Sequence, residues 1–200
     1  MPQPSTRERI LDSAEQLMRT IGLARATTKE IARAAGCSEA ALYKYFSSKE
    51  ELFVAVLRER LPSLLPLLDE LTGHPADRTP EQALAEIARR ATLFYEANMP
   101  IAASLFAEPA LLRRHREGLS PLGAGPRQPL LALARYLEAL RAEGRIRPGT
   151  DPEAAAALLL GACFQHAFLR HFSGEGEQPE PPAALDAFAC SLARTLLAGV

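Results

Sequence analysis

The chain has 200 residues, 48% apolar and 24% charged, enough to bury a sizeable core as one domain or two small ones and too apolar to remain disordered. A formal net charge of −1 gives no overall attraction to a polyanion, yet residues 1–50 hold eight Lys/Arg against six Asp/Glu while the rest hold fifteen against eighteen, and all three lysines (Lys29, Lys44, Lys49) lie in the first fifty. The best apolar run, Ala154 to Leu169, is broken by Gln165 and His166, so it reads as a buried helix and no membrane is expected as a partner.

The start, "MPQPSTRERI", carries no apolar stretch after its charges, which excludes a secretory signal and predicts a cytoplasmic protein. Cys37, Cys163 and Cys190 match neither a zinc spacing nor a disulfide framework and are expected to be reduced thiols.

Helical periodicity runs through nearly the whole chain, and no strand-like alternation competes with it, so the fold class is all-α with about nine helices. Ser5-x-x-Glu8 is a capping box for a first helix whose buried stripe is Ile10, Leu11, Ala14, Leu17, Met18 and Ile21; Gly22 stops it. Thr27-x-x-Glu30 opens a short helix through Ala35, stopped by Gly36, and Ser38 caps the next one after a single intervening residue. Two helices joined by so short a glycine turn cross steeply, which is helix-turn-helix geometry. The second of them is predicted over Glu39 to Phe46. Ser48-x-x-Glu51 caps a further helix from Lys49, which Pro62 and Pro66 kink or divide.

Longer amphipathic helices follow, with Pro/Gly-rich joints at 73–80, 118–129, 144–152 and 173–182. Thr79-Pro80-Glu81-Gln82 starts a helix expected to end near Asn98; shorter pieces span Pro100 to Gly118, then helices cover about 128–143, 152–172 and 182–198. A boundary near residue 50 divides a helix-turn-helix domain (1–50) from a helical bundle (51–200).

On the helix from Glu39 to Phe46, Leu42 and Phe46 form the buried edge, which turns Glu39, Ala40, Tyr43 and Lys44 outward. A helix of this size with an exposed first turn fits the major groove of double-stranded DNA, its first residues meeting base edges while hydroxyls and ammonium groups reach phosphates. "TTKEIARAAGCSEAALYKYFSSKEEL" resembles the DNA-binding motif of the tetracycline-repressor (TetR) family over roughly the first 55 residues. The resemblance implies that Thr28, Tyr43 and Lys49 contact the phosphate backbone and that Lys29, Ser38, Glu39, Ala40, Lys44 and Tyr45 make the contacts to bases or phosphates that vary between members; the cap residue Thr27 is expected in the same DNA-binding set. Ala40 and Cys37 stand where glycine and valine are frequent, and Glu39 repels phosphate unless it accepts from a cytosine amino group. Lys49 opposes the dipole at its helix start, a cost that an external anion would offset.

The resemblance also implies a homodimer, a palindromic operator, and a small-molecule effector bound by the bundle. Leu158, Gly161, Phe164 and Phe168, with Leu185, Phe188 and Leu192, are expected at a self-complementary interface formed by the last two helices of each chain, with intramolecular packing as the alternative. Phe94, Tyr95, Asn98, Met99 and Phe106, faced by Gln165 and His166, are the effector-pocket candidates, again with core packing as the alternative. No metal is expected at His166 or His171, since no carboxylate lies three or four residues from His166, and no cofactor is expected. A small-molecule carrier or enzyme with a vestigial DNA-binding domain is the rival reading; the chain shows no paired carboxylates, nucleophile with base, or phosphate loop to favour the enzyme. An effector-independent DNA-binding protein is a third.

Overall fold

The structure is a computed structural model, and it describes residues 4–22, 25–60, 64–73, 78–119 and 125–199. Among these, ten α-helices follow one another: α1 (Thr6–Ile21), α2 (Thr28–Ala34), α3 (Glu39–Leu42), α4 (Lys49–Glu59), α5 (Leu65–Gly73), α6 (Pro80–Phe106), α7 (Pro109–Leu119), α8 (Arg127–Ala142), α9 (Pro152–Phe172) and α10 (Pro182–Ala198), with one 3-10 turn at Glu175–Glu177. No strand occurs among the described residues. The fold is all-α.

The chain divides into two units, Met1–Pro62 with Pro100–Gly125, and Ser63–Met99 with Pro126–Val200. The first is built on the stripe of α1, where Ile10, Leu11, Ala14 and Met18 are buried against Ile31 and Ala32 of α2, Leu42 of α3 and Leu52, Phe53 and Val56 of α4. Burying each large apolar side chain contributes about 1.5–3 kcal/mol relative to leaving it in water. Ile101, Leu105 and Leu111 join this same core, so the first unit reaches beyond residue 50 and takes in the end of α6 and α7. Arg7 forks onto the Glu59 carboxylate at 2.7 and 2.8 Å, and Arg60 meets Asp12 at 2.6 Å, fixing α4 along α1.

The second unit centres on α8 against α9. Leu133, Tyr136, Leu137 and Leu140 bury against Ala156, Leu159, Leu160 and Cys163, with Leu84, Ile87 and Ala88 of α6 and Ala189 and Ala193 of α10 closing the cluster. Gly144 ends α8 in the left-handed region (φ +70°), where the Arg145 amide donates back to the Leu140 carbonyl at 2.9 Å. Asp151 caps α9 by accepting from the amides of Glu153 and Ala154.

Two helices differ from expectation, one for a local reason and one for a distant one. α3 ends at Leu42 rather than Phe46, because Lys44 and Tyr45 donate three residues back, to Ala41 and Leu42. That tighter turn still returns Phe46 to the core beside Leu42, at 2% and 0% exposed.

α6 does not stop near Asn98 but runs through Pro100 to Phe106. Proline has no N–H for the carbonyl four residues back, which is that of Glu96. Nε2 of His171, on α9, lies 2.9 Å from that oxygen. A carbonyl only accepts, so His171 carries its proton on Nε2 and supplies the missing donor.

Candidate nucleic-acid interface

The local cause of the interface is a set of three caps. Thr27 and Glu30 form a complete capping box: the Glu30 amide donates to Thr27 Oγ1 at 3.2 Å and the Thr27 amide donates to the Glu30 carboxylate at 3.1 Å. Those bonds to Thr27, the backbone one foremost, hold the Glu30 carboxyl below the usual carboxylate range. Gly36 closes α2 at φ +66°, a conformation that a side chain would strain, while Cys37 donates back to the Ala32 carbonyl at 2.9 Å. Ser38 then accepts from the Ala41 amide at 3.1 Å and starts α3.

At Ser48 the box is half formed. Glu51 donates its amide to Ser48 Oγ at 3.1 Å, but its carboxylate accepts from the amide and hydroxyl of Ser47, at 2.7 and 2.5 Å, instead of from Ser48. The start of α4 is therefore tied one residue further upstream than the capping-box spacing predicts.

These caps aim a set of exposed side chains away from the core. Ser38, Glu39, Ala40, Tyr43, Lys44 and Tyr45 are all exposed, the two tyrosines at 47% and 46%, while Leu42 and Phe46 anchor the set from beneath. Thr28, at the start of α2, joins it: its hydroxyl donates to the Glu39 carboxylate at 2.5 Å, and the Tyr43 hydroxyl lies 3.4 Å from the same Thr28 oxygen. Three of the residues singled out in the sequence thus form one hydrogen-bonded set across the two helices. Thr27 and Lys29 are exposed beside them.

Glu39 is held by Thr28, so one of its oxygens is already engaged within the chain and the other remains an acceptor. Lys49 is half-buried, with Nζ 5.1 Å from the centroid of the Phe53 ring. That cation–π contact offsets part of the unfavourable helix-start position, so the dipole argument for an external anion is weaker than the sequence implied.

The effector-pocket candidates are not all brought together. Phe94 and Tyr95 pack edge-on, Tyr95 packs edge-on against Phe164, and burial pushes the Tyr95 hydroxyl up to about 12. Asn98 is buried; its Nδ2 donates to the Phe94 carbonyl at 2.7 Å while Oδ1 has no protein partner. Met99 is half-buried and Gln165 exposed. His166 faces Phe188, their rings stacked 4.2 Å apart, and Glu180. Phe106 belongs to the first unit and is 69% exposed.

Of the interface candidates on the last two helices, Leu158, Gly161, Phe164 and Phe168 lie exposed along one side of α9, Phe188 and Leu192 are half-buried, and Leu185 is packed into the chain's own core. Sequence reasoning missed Leu169 and Phe172 at the end of α9, 52% and 81% exposed, the latter stacked on Phe168. It also missed the carboxylates around His166, because Glu96 and Glu180 come from elsewhere in the chain and not from the next helical turn.

Residues 10–56 match the bacterial regulatory proteins of the tetR family, and residues 102–199 match the C-terminal domain of AefR-like transcriptional repressors. The chain is 33% identical over 87 residues to the HTH-type transcriptional regulator BetI of Rhizobium meliloti, covering 44% of this chain and 42% of BetI's length. It is 29% identical over 150 residues to the uncharacterized HTH-type transcriptional regulator YvkB of Bacillus subtilis, 75% of each. Among solved structures it is similar to a TetR-family transcriptional regulator from Mesorhizobium loti (TM-score 0.77, 23% identity, 96% of this chain and 95% of that one) and to SmeT, the repressor of the Stenotrophomonas maltophilia multidrug efflux pump SmeDEF (TM-score 0.65, 27% identity, 97% and 89%). The first of these likenesses shows the fold.

Proposed function

The chain belongs to the tetR family of bacterial regulatory proteins, and from that premise we propose that it is a ligand-responsive repressor, binding a near-palindromic operator as a homodimer and leaving it when a small effector occupies the second unit. The observation that carries this reading is the exposed run from Ser38 to Tyr45, bonded through Thr28 and seated on buried Leu42 and Phe46. It presents hydroxyls, an ammonium and one carboxylate acceptor from a rigid base, the chemistry of mixed phosphate and base-edge contact. Tyr43 and Lys44 bind phosphate, and Glu39 selects cytosine through its amino group.

Support for the dimer comes from α9. It is long and apolar enough by composition to cross a membrane, yet only 33% of its most apolar window is buried within the chain. A two-fold partner laying the same face against Leu158, Gly161, Phe164 and Phe168 covers that stripe. Likeness to SmeT supports repression as the direction of control. An effector that prefers one arrangement of the dimer by ~1–3 kcal/mol suffices as a switch.

The test is capture of fragmented DNA from the protein's own source by wild type and by Tyr43→Ala. Enrichment of a short palindrome that the variant loses supports the reading. Equal recovery of all fragments, or none at low salt, overturns it.

A further inference from the structure

Three side chains from separate stretches of the second unit converge without a part in DNA reading: Glu96 of α6, His166 of α9, and Glu180 in the segment leading to α10. Each offers one donor atom, and the three atoms lie within 4.8 Å of one another. His166 Nε2 is 3.0 and 3.1 Å from the two oxygens of Glu180. The Glu180 side chain is 7% exposed, Glu96 14% and His166 23%, so both carboxylates are withdrawn from water.

A guanidinium faces them. Arg170 donates Nε to Glu96 Oε1 at 2.6 Å and Nη2 to the carbonyls of Glu175 and Gln178, while its Nη1 lies 3.7 Å from the Glu175 carboxylate. Two carboxylates withdrawn from water in one half-buried site are costly without further positive charge.

We propose that Glu96, His166 and Glu180 bind a divalent first-row transition-metal ion. The donor set of one imidazole and two carboxylates suits Mn2+, Fe2+ or Zn2+ and lacks the thiolates that soft ions prefer. Donors held ~2.1 Å from an ion lie ~3.0 Å apart at right angles and ~4.2 Å apart across it. The His166–Glu180 spacing already has the first value, and the widest spacing in the cluster, at most 4.8 Å, closes to the second by moving about 0.6 Å or less.

The surroundings fix the ligands as outer-shell partners do. Arg170 takes one oxygen of Glu96 and leaves the other for the ion, His171 holds the Glu96 backbone carbonyl, and Phe188 stacks on the imidazole face. A bound ion ties α6, α9 and the approach to α10 to one another. This makes it a second input to the unit, and it needs no DNA to be observed.

Mn2+ is the probe, since the three cysteines give Zn2+ other places to go. Chain freed of metal with EDTA is titrated with Mn2+, and free ion is followed by its electron paramagnetic resonance signal. The expected result is one Mn2+ per chain, bound more than ~10-fold less tightly by His166→Gln and by Glu180→Gln, the scale attached to loss of even an outer-shell partner.

Glu180→Gln keeps an acceptor for His166, and circular dichroism melts identify a variant that fails to fold. Binding no tighter than that of Glu180→Gln overturns the proposal, as does displacement of Mn2+ by an equal concentration of Mg2+, which would leave the imidazole without a role. DNA capture repeated in EDTA reports on the regulator reading separately.

Discussion

The passage of α6 through Pro100 yields a quantitative test of how this sequence holds a long helix. The Glu96 carbonyl has its helical donor removed by Pro100 and a substitute supplied by His171 Nε2 at 2.9 Å, 75 residues further along the chain. Replacing His171 with Ala leaves that oxygen unpaired; a buried orphan costs ~1–3 kcal/mol, and the partial exposure of this one lets water lower the loss to ~1 kcal/mol. His171→Ala also removes packing, which would obscure a single measurement. The remedy is a cycle with Pro100→Ala, whose amide restores the ordinary bond to Glu96. Packing loss is common to both backgrounds and cancels, so His171→Ala should cost ~1 kcal/mol less in the Pro100→Ala chain. Urea unfolding of the four proteins at one fixed concentration, with unchanged slopes, measures this. Equal costs in the two backgrounds, within ~0.3 kcal/mol, would refute the repair.

Five further outcomes are expected. Lys49→Ala should weaken binding to every DNA sequence and lower the salt slope by ~1, measured by fluorescence anisotropy across a salt series; an unchanged slope removes Lys49 from the interface. Leu158→Glu combined with Phe164→Glu should give monomers in sedimentation that bind DNA poorly, and a persistent dimer places the interface elsewhere. Thr27→Ala should destabilise the chain by ~1 kcal/mol through its lost cap. The carboxyls of Glu8, Glu30 and Glu51 are held low by their cap bonds, so their stabilisation is complete above the ordinary glutamate value of ~4.3 and disappears as pH falls through the depressed values. Thermal midpoints should drop below that pH, and should drop less in a chain with all three changed to Gln. Finally, burial pushes the Cys163 thiol up to about 11, so Ellman's reagent at pH 8 should modify half-buried Cys37 and Cys190 readily and Cys163 only after denaturation.

What could be read from the sequence was what is encoded locally. Capping spacings at Ser5 and Thr27, stops at Gly22 and Gly36, and the four-residue interval between Leu42 and Phe46 act within one or two turns, and they carry α1 to α3 and the exposed run with them. What escaped depends on distant partners. Pro100 signals a helix end unless a donor arrives from elsewhere, and nothing near it announces His171. The same holds for His166: the search for a carboxylate one turn away found none, while the fold brings Glu96 from 70 residues upstream and Glu180 from across the bend after α9. Leu185 fits the apolar pattern of an interface equally well as that of a core, and only packing shows that its side chain is already covered.

The central claim is that two copies of the Ser38–Tyr45 run read one DNA duplex. Hydroxyl-radical footprinting on a captured fragment tests it most directly. Two protected segments related by a dyad and spaced one helical turn, ~34 Å, or a small multiple of it, are expected, both lost together in Tyr43→Ala. A single protected segment, or protection that survives Tyr43→Ala unchanged, would contradict it.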